Sequence, residues 1–370
     1  MRIVFVTRSL EYGGAERQLS ALAAGLARRG HDVAVLSLYD RIPLAAGLAE
    51  AGCRVQIVGK KGRWDVLGFV ARIIRALREL EPDVVHSYMP GANLICAMLK
   101  PLVRNVALVW GVRSSDVDLK EFEWLTRLVY RVEPMVSAIP DRIIINSRAG
   151  LEHAIAQGYP AERISVIPNG VDVRRFQRNP GGRRLLREEW GVGEEMRLIG
   201  LVGRLDPFKD HATFLRAAAR IAAVRKDVRF VCVGDDPKGL RPGLESLVEH
   251  LGLPQKVRFE GAREDIAAVY SALDLLCSSS TTEGFPNVVA EAMACGTPCV
   301  VTDAGDSALI VGSIGRVAPR EDAETLARAA LEMLASPPSS VAVRERILTE
   351  FSLEALVSRT ESVLNQAVAR

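Results

Sequence analysis

Short apolar runs alternate with longer helical patterns along almost the whole chain, and this alternation restricts the fold more than any other feature of the sequence. In the first half, six such runs are bounded by polar residues or by Gly and Pro, which is typical of parallel strands covered on both faces. The sequence therefore predicts a doubly wound α/β domain. Its predicted strands are Ile3–Thr7, Asp32–Leu38, Val55–Val58, Val84–Ser87, Val106–Trp110 and Arg142–Asn146, and its predicted helices are Ala15–Arg29, Trp64–Leu80 and Leu119–Val132.

The alternation stops at a polar, turn-rich stretch and then resumes. Pro168-Asn169-Gly170 begins this stretch and Pro180-Gly181-Gly182 ends it, which is typical of a connection between domains. We predict two facing Rossmann-like domains, 1–177 and 178–350, with a central cleft and a last helix in 351–370 that crosses back to the first domain. The second half has predicted strands at Leu198–Gly203, Arg229–Val233, Val257–Glu260, Leu273–Ser278 and Pro298–Thr302, and predicted helices at His211–Val224, Gly239–Leu251, Ile266–Ala272, Asn287–Ala294, Ala323–Ala335 and Leu353–Val368.

Composition excludes several classes of protein. A chain that is 48% hydrophobic with a net charge of only +3 does not have the composition of a disordered polypeptide. It contains no run of about 18 uncharged apolar residues, so a membrane-spanning helix is not expected. Arg8 interrupts the first apolar run, which favours a strand over a secretion signal and hence a cytoplasmic location. The six cysteines are scattered, and the nearest pair, Cys295 and Cys299, lacks the spacing of a metal site.

The charges are divided unevenly along the chain. Residues 1–178 hold 25 basic and 18 acidic side chains, whereas residues 179–370 hold 23 and 27. A basic half indicates an anionic partner. Basic residues lie beside Trp, Phe and Leu in 60–78 and 120–131, which favours an anionic membrane surface. Ordinary amphipathic helices packed on the sheet remain the alternative. Nucleic acid is not expected, because no stacking platform or recognition helix is evident.

Two glycine-containing loops follow the first strands of the two halves. Gly13 and Gly14 lie after the first predicted strand and begin a helix, where backbone N–H groups can approach an anion. An ordinary tight turn explains this pattern equally well. In the second half, Gly203-Arg204 precedes Lys209 on a loop at the carboxyl end of a strand, where two cations can hold a diphosphate. Solvated surface cations are the alternative there.

The segment from Glu283 to Pro298 is the strongest signal. Glu283 follows a predicted strand, and Asn287 begins a helix whose first N–H groups have no partner within the helix. Glu291 lies further along that helix among apolar neighbours, which argues against a merely solvated position. A helix end that binds phosphate, flanked by carboxylates that accept from hydroxyl groups, fits a sugar diphosphate.

Together these blocks resemble the group 1 (family 4) retaining glycosyltransferases of the GT-B fold. Glu283 and Glu291 match that family's pair of glutamates, which are separated by seven residues. Further matches occur in the family's order over nearly the whole chain, at Gly13-Gly14-Ala15-Glu16-Arg17, Val166-Ile167-Pro168-Asn169-Gly170-Val171-Asp172, Gly203-Arg204 with Lys209, and Thr302-Asp303-Ala304-Gly305-Asp306.

The resemblance implies roles for individual residues. Arg204 and Lys209 would hold the donor diphosphate and stabilise the charge on the departing nucleotide. Glu283 would contact the transferred sugar, Glu291 the ribose hydroxyls, and the loop at Arg263 the base. No metal and no cofactor is implied, because cations and a helix end replace the metal. The implied catalytic residues are Glu283, Arg204 and Lys209, and the implied donor-binding residues are Gly14, Gly203, Arg263, Asn287, Val288 and Glu291.

The acceptor side departs from the family in one respect. Many members carry a histidine on the loop after the fifth strand, where this chain has Trp110-Gly111-Val112-Arg113 followed by Ser114-Ser115-Asp116. Arg113 would take that position, and Gly13 and His86 complete the expected acceptor side. A lone histidine at a strand end is also commonly structural. A general base is not required, since the departing phosphate can accept the acceptor's proton.

The sequence therefore predicts a metal-independent, retaining hexosyltransferase. Its expected donor is a nucleoside-diphosphate sugar, with UDP as the nucleotide, and its expected acceptor is a glycan or a polyprenyl-diphosphate-linked sugar of the cell envelope. We expect it to be cytoplasmic and peripheral on the inner face of the membrane. A sugar-nucleotide epimerase or hydrolase of the same fold, and a non-catalytic partner of another transferase, are the alternatives.

Overall fold

The computed structural model describes residues 1–11, 13–60, 65–103, 105–113 and 123–369. The chain divides into two units: unit 1 is Met1–Gly170 with Leu353–Arg370, and unit 2 is Val171–Ser352. The first boundary thus lies at 170/171 instead of 177/178. Val171 N donates to Phe351 O (2.8 Å), which ties the chain to unit 2 from that residue onward.

Unit 1 is built on a parallel sheet whose described strands have the order β3-β2-β1-β4-β5-β6-β7. Alternate residues of its first strand supply two cores: Ile3 packs with Leu22, and Val4 packs with Ile73, on opposite faces. The strands are β1 (Arg2–Thr7), β2 (Asp32–Ser37), β3 (Arg54–Ile57), β4 (Val84–Tyr88), β5 (Ala107–Val112), β6 (Arg142–Ile145) and β7 (Ile164–Val166). The helices are α1 (Gly14–Arg28), α2 (Ala45–Glu50), α3 (Val66–Leu80), α4 (Met89–Leu99), α5 (Trp124–Val132) and α6 (Arg148–Ala156).

Unit 2 repeats this plan, with the strand order β10-β9-β8-β11-β12-β13. In both sheets the strand order reverses at the first strand, between β1 and β4 and between β8 and β11, and ligands of such sheets bind at that point. The strands are β8 (Arg197–Val202), β9 (Val228–Val233), β10 (Val257–Glu260), β11 (Leu275–Ser278), β12 (Cys299–Thr302) and β13 (Arg316–Ala318). The helices are α7 (Pro180–Glu189), α8 (His211–Val224), α9 (Arg241–His250), α10 (Ile266–Ala272), α11 (Asn287–Ala294), α12 (Ser307–Val311), α13 (Ala323–Ala335) and α14 (Ser340–Glu350).

The last helix, α15 (Leu353–Val368), belongs to unit 1 and packs on α1. A Cβ on Gly25 would overlap the side chain of Val357, so glycine permits the close approach of the two helices. Arg29 forms ion pairs with Glu354 and Glu361. Apolar packing and charge pairing therefore both hold α15 on unit 1.

The predicted fold class is confirmed, and the differences concern local segments. The stretch beginning at Pro180 is the first turn of α7 instead of a connection. Asn179 caps this helix by accepting a hydrogen bond from Gly182 N (2.8 Å), and proline is well suited to a first helical position because its φ is already helical. Trp64 and residues 119–122 of the predicted helices lie outside the described residues. No helix among the described residues is both long and apolar enough to cross a bilayer.

Candidate functional site

The loop after β8 brings a lysine back towards the sheet. A Cβ on Gly234 would overlap Gly203 O, so the ends of β8 and β9 approach each other backbone to backbone. Residues 207–209 form one turn, after which Asp210 adopts a left-handed backbone (φ +44°). The Asp210 side chain accepts from Thr213 N (3.0 Å) and so begins α8. This turn fixes the backbone that carries Lys209.

Lys209 and Glu283 are in contact. Lys209 Nζ forms an ion pair with Glu283 Oε1, and Ser280 Oγ donates to the same oxygen (2.7 Å). Their side chains are 23% and 13% exposed. Ser279 Oγ donates to Lys209 O (2.9 Å), which joins the two loops a second time. A cation and a carboxylate therefore lie together at the carboxyl ends of β8 and β11, where the strand order reverses.

The backbone around Glu283 is closely packed against the loop that follows β12. Gly305 has φ +55°, and a Cβ on it would overlap Glu283 O. Asp306 N donates to Gly284 O (2.9 Å), and Thr302 Oγ1 donates to Ser280 O (2.5 Å). The match between residues 302–306 and the family pattern thus has a structural reason: this loop supports the strand end that carries Glu283.

Helix α11 carries the second glutamate of the motif. Pro286 is extended and precedes the helix, so the N–H groups of Asn287 and Val288 lie in its first turn. Glu291 is partly buried and accepts from the Tyr270 hydroxyl (2.8 Å). Burial and the Glu291 charge raise the pKa of Tyr270 well above its ordinary value, so the phenol stays protonated and donates. This hydrogen bond orients the Glu291 carboxylate.

The two predicted arginines of unit 2 have different surroundings. Arg204 is exposed, and no residue of the described ranges forms an ion pair with it. Arg263 pairs with Glu189 (2.9 Å) and with Asp265 (2.8 Å). These hydrogen bonds and charges raise the pKa of Arg263 above its ordinary value. Arg204 is thus open to an incoming anion, whereas the Arg263 guanidinium is occupied by two carboxylates of its own unit.

In unit 1, Gly13 precedes α1 and Gly14 is its first residue. The Glu16 carboxylate packs against Gly13, and a Cβ on that glycine would overlap it. Glu16 lies in the first turn of α1, where a negative charge is stabilised by the helix dipole. The end of α1 that the sequence assigns to an anion therefore already has a carboxylate beside it.

Arg113 lies near the ends of β4 and β5 and is held by two partners. Its Nη2 donates to the Tyr88 hydroxyl (2.5 Å), and its Nη1 donates to Asn169 Oδ1 (3.2 Å). The guanidinium also lies 4.6 Å from the centre of the Tyr88 ring. Met89 follows with φ +72°, a conformation that side chains other than glycine rarely adopt and that is concentrated at functional sites. The structure thus places an oriented cation beside the carboxyl end of β4, next to the switch point of unit 1. The predicted neighbours Ser114–Asp116 lie outside the described residues.

The expectation for His86 requires correction. His86 is 0% exposed within β4, where its Nδ1 lies 3.1 Å from Val109 O and its ring packs against Phe5 and Tyr88. Burial lowers the pKa of His86 to about 3, so the ring is neutral at pH 7. Because the side chain lies in the core, it cannot contact an acceptor. His86 is therefore a structural histidine, which was the alternative interpretation of the sequence.

Comparison with protein families agrees with this geometry. The model described as glycosyl transferases group 1 matches residues 196–336, and the model described as glycosyltransferase family 4 matches residues 12–175.

The chain belongs to the group 1 glycosyltransferases.

Curated relatives carry a more specific name. D-inositol 3-phosphate glycosyltransferase of Segniliparus rotundus is 35% identical to this chain. The alignment covers 60% of this chain and 51% of the Segniliparus protein. The protein of the same name from Corynebacterium urealyticum is 28% identical over 90% of this chain and 85% of its own length. The chain thus spans about half the length of the first relative and most of the second.

Solved structures share the fold of this glycosyltransferase. The crystal structure of Anabaena Alr3699/HepE in complex with UDP superposes with a TM-score of 0.86 and 24% sequence identity. The superposition covers 99% of this chain and 100% of the Anabaena chain. At that identity the likeness shows the fold alone, a GT-B arrangement of two Rossmann-like domains. The family motifs thus include Lys209 and Glu283, the two residues that meet at the switch point of unit 2.

Four residues of the site were not named as site residues by sequence reasoning. They are Ser280, Tyr270, Tyr88 and Asn169, which orient Glu283, Glu291 and Arg113 through hydrogen bonds. Only Asn169 carries a signal, because it lies within the family block at 166–172. The others come from segments distant in sequence or have no distinctive pattern. Among the described residues, no group of three His, Cys, Asp or Glu side chains is arranged to hold a metal.

Proposed function

We propose that this glycosyltransferase moves a sugar from a nucleoside-diphosphate sugar, with UDP as the nucleotide, to a glycan or polyprenyl-diphosphate-linked acceptor, with retention of anomeric configuration. The observation that carries the proposal is the contact between Lys209 and Glu283 at the carboxyl ends of β8 and β11. A lysine that neutralises phosphate, beside a carboxylate that accepts from sugar hydroxyls, is the chemistry that a sugar diphosphate needs.

Each donor group has a proposed partner in unit 2. Arg204 and Lys209 bind the diphosphate, and the first N–H groups of α11, at Asn287 and Val288, bind one of its phosphates. Glu291 accepts from the ribose hydroxyls while Tyr270 holds its carboxylate. The base lies near the loop of Arg263 and meets its backbone, since the guanidinium is already paired. Gly203 lets the phosphates approach the end of β8.

The proposed chemistry needs no external base and no metal. The bond between the anomeric carbon and the diphosphate oxygen breaks, and the acceptor oxygen bonds to the same carbon on the same face. The acceptor's proton passes to the departing phosphate oxygen. Arg204 and Lys209 stabilise the negative charge that develops on that phosphate, and removal of such a donor typically costs ~100- to 1,000-fold in rate.

Unit 1 is the proposed acceptor-binding unit. Arg113 is oriented by Tyr88 and Asn169 and presents a cation to an acceptor phosphate. The carboxylate of Glu16 beside Gly13 favours hydroxyl groups over phosphate at the start of α1, so we assign Gly13 and Gly14 to sugar hydroxyls. The curated relatives are named for inositol 3-phosphate, which makes a phosphorylated polyol a second acceptor class to test.

Helix α5 supports a peripheral position on the inner face of the cytoplasmic membrane. No residue of this helix is buried, and Trp124, Leu125 and Leu128 are 66%, 53% and 47% exposed. Met135, just beyond the helix, is 80% exposed. Arg131 is exposed on the same helix, one turn beyond Leu128. An apolar face flanked by arginine fits the boundary between anionic headgroups and acyl chains.

The function is tested by binding and then by product analysis. Thermal unfolding of the protein with UDP, GDP and ADP should show the largest stabilisation with UDP. UDP-glucose labelled in the sugar is then incubated with a polyprenyl-diphosphate glycan or with inositol 3-phosphate. The proposal expects label in the acceptor with retained anomeric configuration. Free labelled sugar alone would identify a hydrolase, an isomerised nucleotide sugar an epimerase, and absence of nucleotide binding a non-catalytic partner.

A further inference from the structure

A cationic cavity lies at the end of the unit 2 sheet that is opposite to the candidate donor site. Its volume is about 230 Å³, and its lining includes Arg178, Arg183, Arg197, Asp274 and Ser340. Arg197 begins β8, and Asp274 directly precedes β11. The candidate donor site lies at the carboxyl ends of these same strands, so the length of β8, roughly 20 Å, separates the two places. We call this feature the arginine cavity.

The arginine cavity has more positive than negative charge. One carboxylate, Asp274, faces three guanidinium groups: Arg183 at 2.8 Å, Arg187 at 3.1 Å and Arg197 at 3.9 Å. The Asp274 side chain is 11% exposed, so solvent screens this cluster little. Arg178 adds a further positive charge to the lining.

Two of the arginines serve the fold. Arg183 donates to Ser271 O (3.0 Å) and Ala272 O (2.9 Å), at the carboxyl end of α10. Arg187 donates to Gly193 O and Met196 O (2.7 and 2.6 Å). These bonds hold α7 against α10 and the start of β8, so neither guanidinium is open to a ligand.

The other two arginines are open to a ligand. The Arg197 side chain is 49% exposed, and of the three arginines that face Asp274 it lies farthest from the carboxylate. Arg178 is exposed and donates to Ser340 Oγ (2.9 Å), a hydroxyl at the first position of α14. Most N–H groups of both guanidiniums thus remain unused among the described residues. The start of α14 adds the positive end of a helix dipole.

We propose that the arginine cavity binds a small phosphate-bearing anion, separately from the donor. Guanidinium groups match phosphate oxygens in geometry as well as in charge, and the Ser340 hydroxyl can donate to a phosphate while it accepts from Arg178. The volume lies below the 300–1,000 Å³ typical of sites for larger organic ligands, which favours a phosphate or diphosphate group over a whole nucleotide.

Inorganic pyrophosphate is the probe, and the Arg204→Ala/Lys209→Ala variant of the whole chain serves as background because it lacks the proposed donor cations. Titration at constant ionic strength should show one bound pyrophosphate. A concentration 100-fold above its dissociation constant should raise the unfolding midpoint by roughly 5–10 °C. Adding Arg178→Gln or Arg197→Gln should weaken binding at least 10-fold, whereas the control Arg184→Gln, an exposed α7 arginine paired with Glu188, should not.

The outcomes separate this inference from the proposed function. Pyrophosphate binding that disappears in the Arg204→Ala/Lys209→Ala background, or that survives Arg197→Gln and Arg178→Gln unchanged, overturns the arginine cavity as an anion site. Loss of equal size in the Arg184→Gln control would show general charge attraction and overturn it as well. Failure of UDP to bind the wild-type protein leaves these measurements untouched, because none of them uses a nucleotide.

Discussion

Lys209 Nζ and Glu283 Oε1 form an ion pair that joins the loops after β8 and β11. Each group thus neutralises the other, and in the proposed function the donor would offer Lys209 a phosphate and Glu283 a hydroxyl. Both side chains are largely buried, so breaking the pair without a replacement would be costly. The pair therefore keeps the two groups in place, and the proposed function requires a ligand that satisfies both when it separates them.

Replacing Lys209 should remove most of the activity. In Lys209→Ala the departing diphosphate loses one cation, and turnover should fall ~100- to 1,000-fold. Initial rates of sugar transfer at saturating UDP-sugar measure the effect. The matched control is Lys226→Ala, at an exposed lysine two residues beyond α8, which should keep wild-type rates. Equal rates for Lys209→Ala and wild type would disprove its role.

Tyr270 is expected to act through Glu291. Tyr270→Phe removes the hydroxyl that donates to Glu291 Oε2 and leaves the carboxylate less well oriented. A hydrogen bond to a charged group contributes about 1.5–3 kcal/mol, so kcat/KM for the donor should fall ~10-fold or more, chiefly through KM. Steady-state kinetics separate the two constants. Tyr39→Phe, at a 38% exposed tyrosine of unit 1, is the control. A change confined to kcat would contradict a role in donor binding.

Gly305 is expected to be irreplaceable by alanine. Its φ of +55° costs a residue with a Cβ about 1–2 kcal/mol, and the added atom would overlap Glu283 O. Gly305→Ala should therefore lower both the free energy of unfolding and the rate of transfer. Gly243→Ala is the comparison: it lies in α9 with open space around it and should stabilise the protein by about 0.5–1 kcal/mol. Urea titrations compare the two variants, and a neutral Gly305→Ala would refute the packing argument.

The exposed face of α5 is expected to bind anionic membranes. Trp124→Ser/Leu128→Ser removes two exposed apolar side chains, and partitioning onto vesicles with 30% phosphatidylglycerol should drop at least 10-fold. Co-sedimentation measures the bound fraction. The double control Val224→Ser/Val341→Ser changes valines of unit 2 that are 71% and 74% exposed, and it should bind as wild type does. If the wild type bound neutral vesicles as well as it binds the anionic ones, the role of the basic residues would be contradicted.

Buried histidines should make the protein sensitive to acid. Burial lowers the pKa of His86 to about 3 and that of His211 to about 4, whereas both titrate near 6.5 when unfolded. Between these values the unfolded chain binds more protons, so stability falls as the pH falls below about 6.5. From pH 7 to pH 5, His86 alone should cost about 2 kcal/mol.

The variant His86→Gln isolates this effect. It keeps an N–H donor near Val109 O but cannot take up a proton, so it should lose about 2 kcal/mol less than wild type between pH 7 and pH 5. Urea titrations at the two pH values give the free energies of unfolding. His250→Gln, at the exposed histidine that ends α9, should follow the wild-type pH dependence. Parallel curves for His86→Gln and wild type would show that another group causes the acid sensitivity.

The sequence alone determined the repeated strand and helix pattern and the order of the motifs. Buried parallel strands such as Arg2–Thr7 carry a continuous apolar run, because both of their faces are covered, and loops such as Gly203-Arg204 must follow strand ends, so both leave local signals. Segments with weak local signals escaped prediction. The three-residue strands Ile164–Val166 and Arg316–Ala318 are too short to show a period, and the start of α7 has the composition of a turn.

Tertiary structure alone decided which side chains meet. Lys209 lies 74 residues from Glu283, and Arg113 lies 56 from Asn169, so no local pattern could pair them. It also moved His86 from the expected acceptor side into the core, because the side chain of a central strand points into whichever layer covers it. The types and order of the reactive groups are properties of the sequence. Their pairing, burial and charge state depend on packing between distant segments, which only the folded chain specifies.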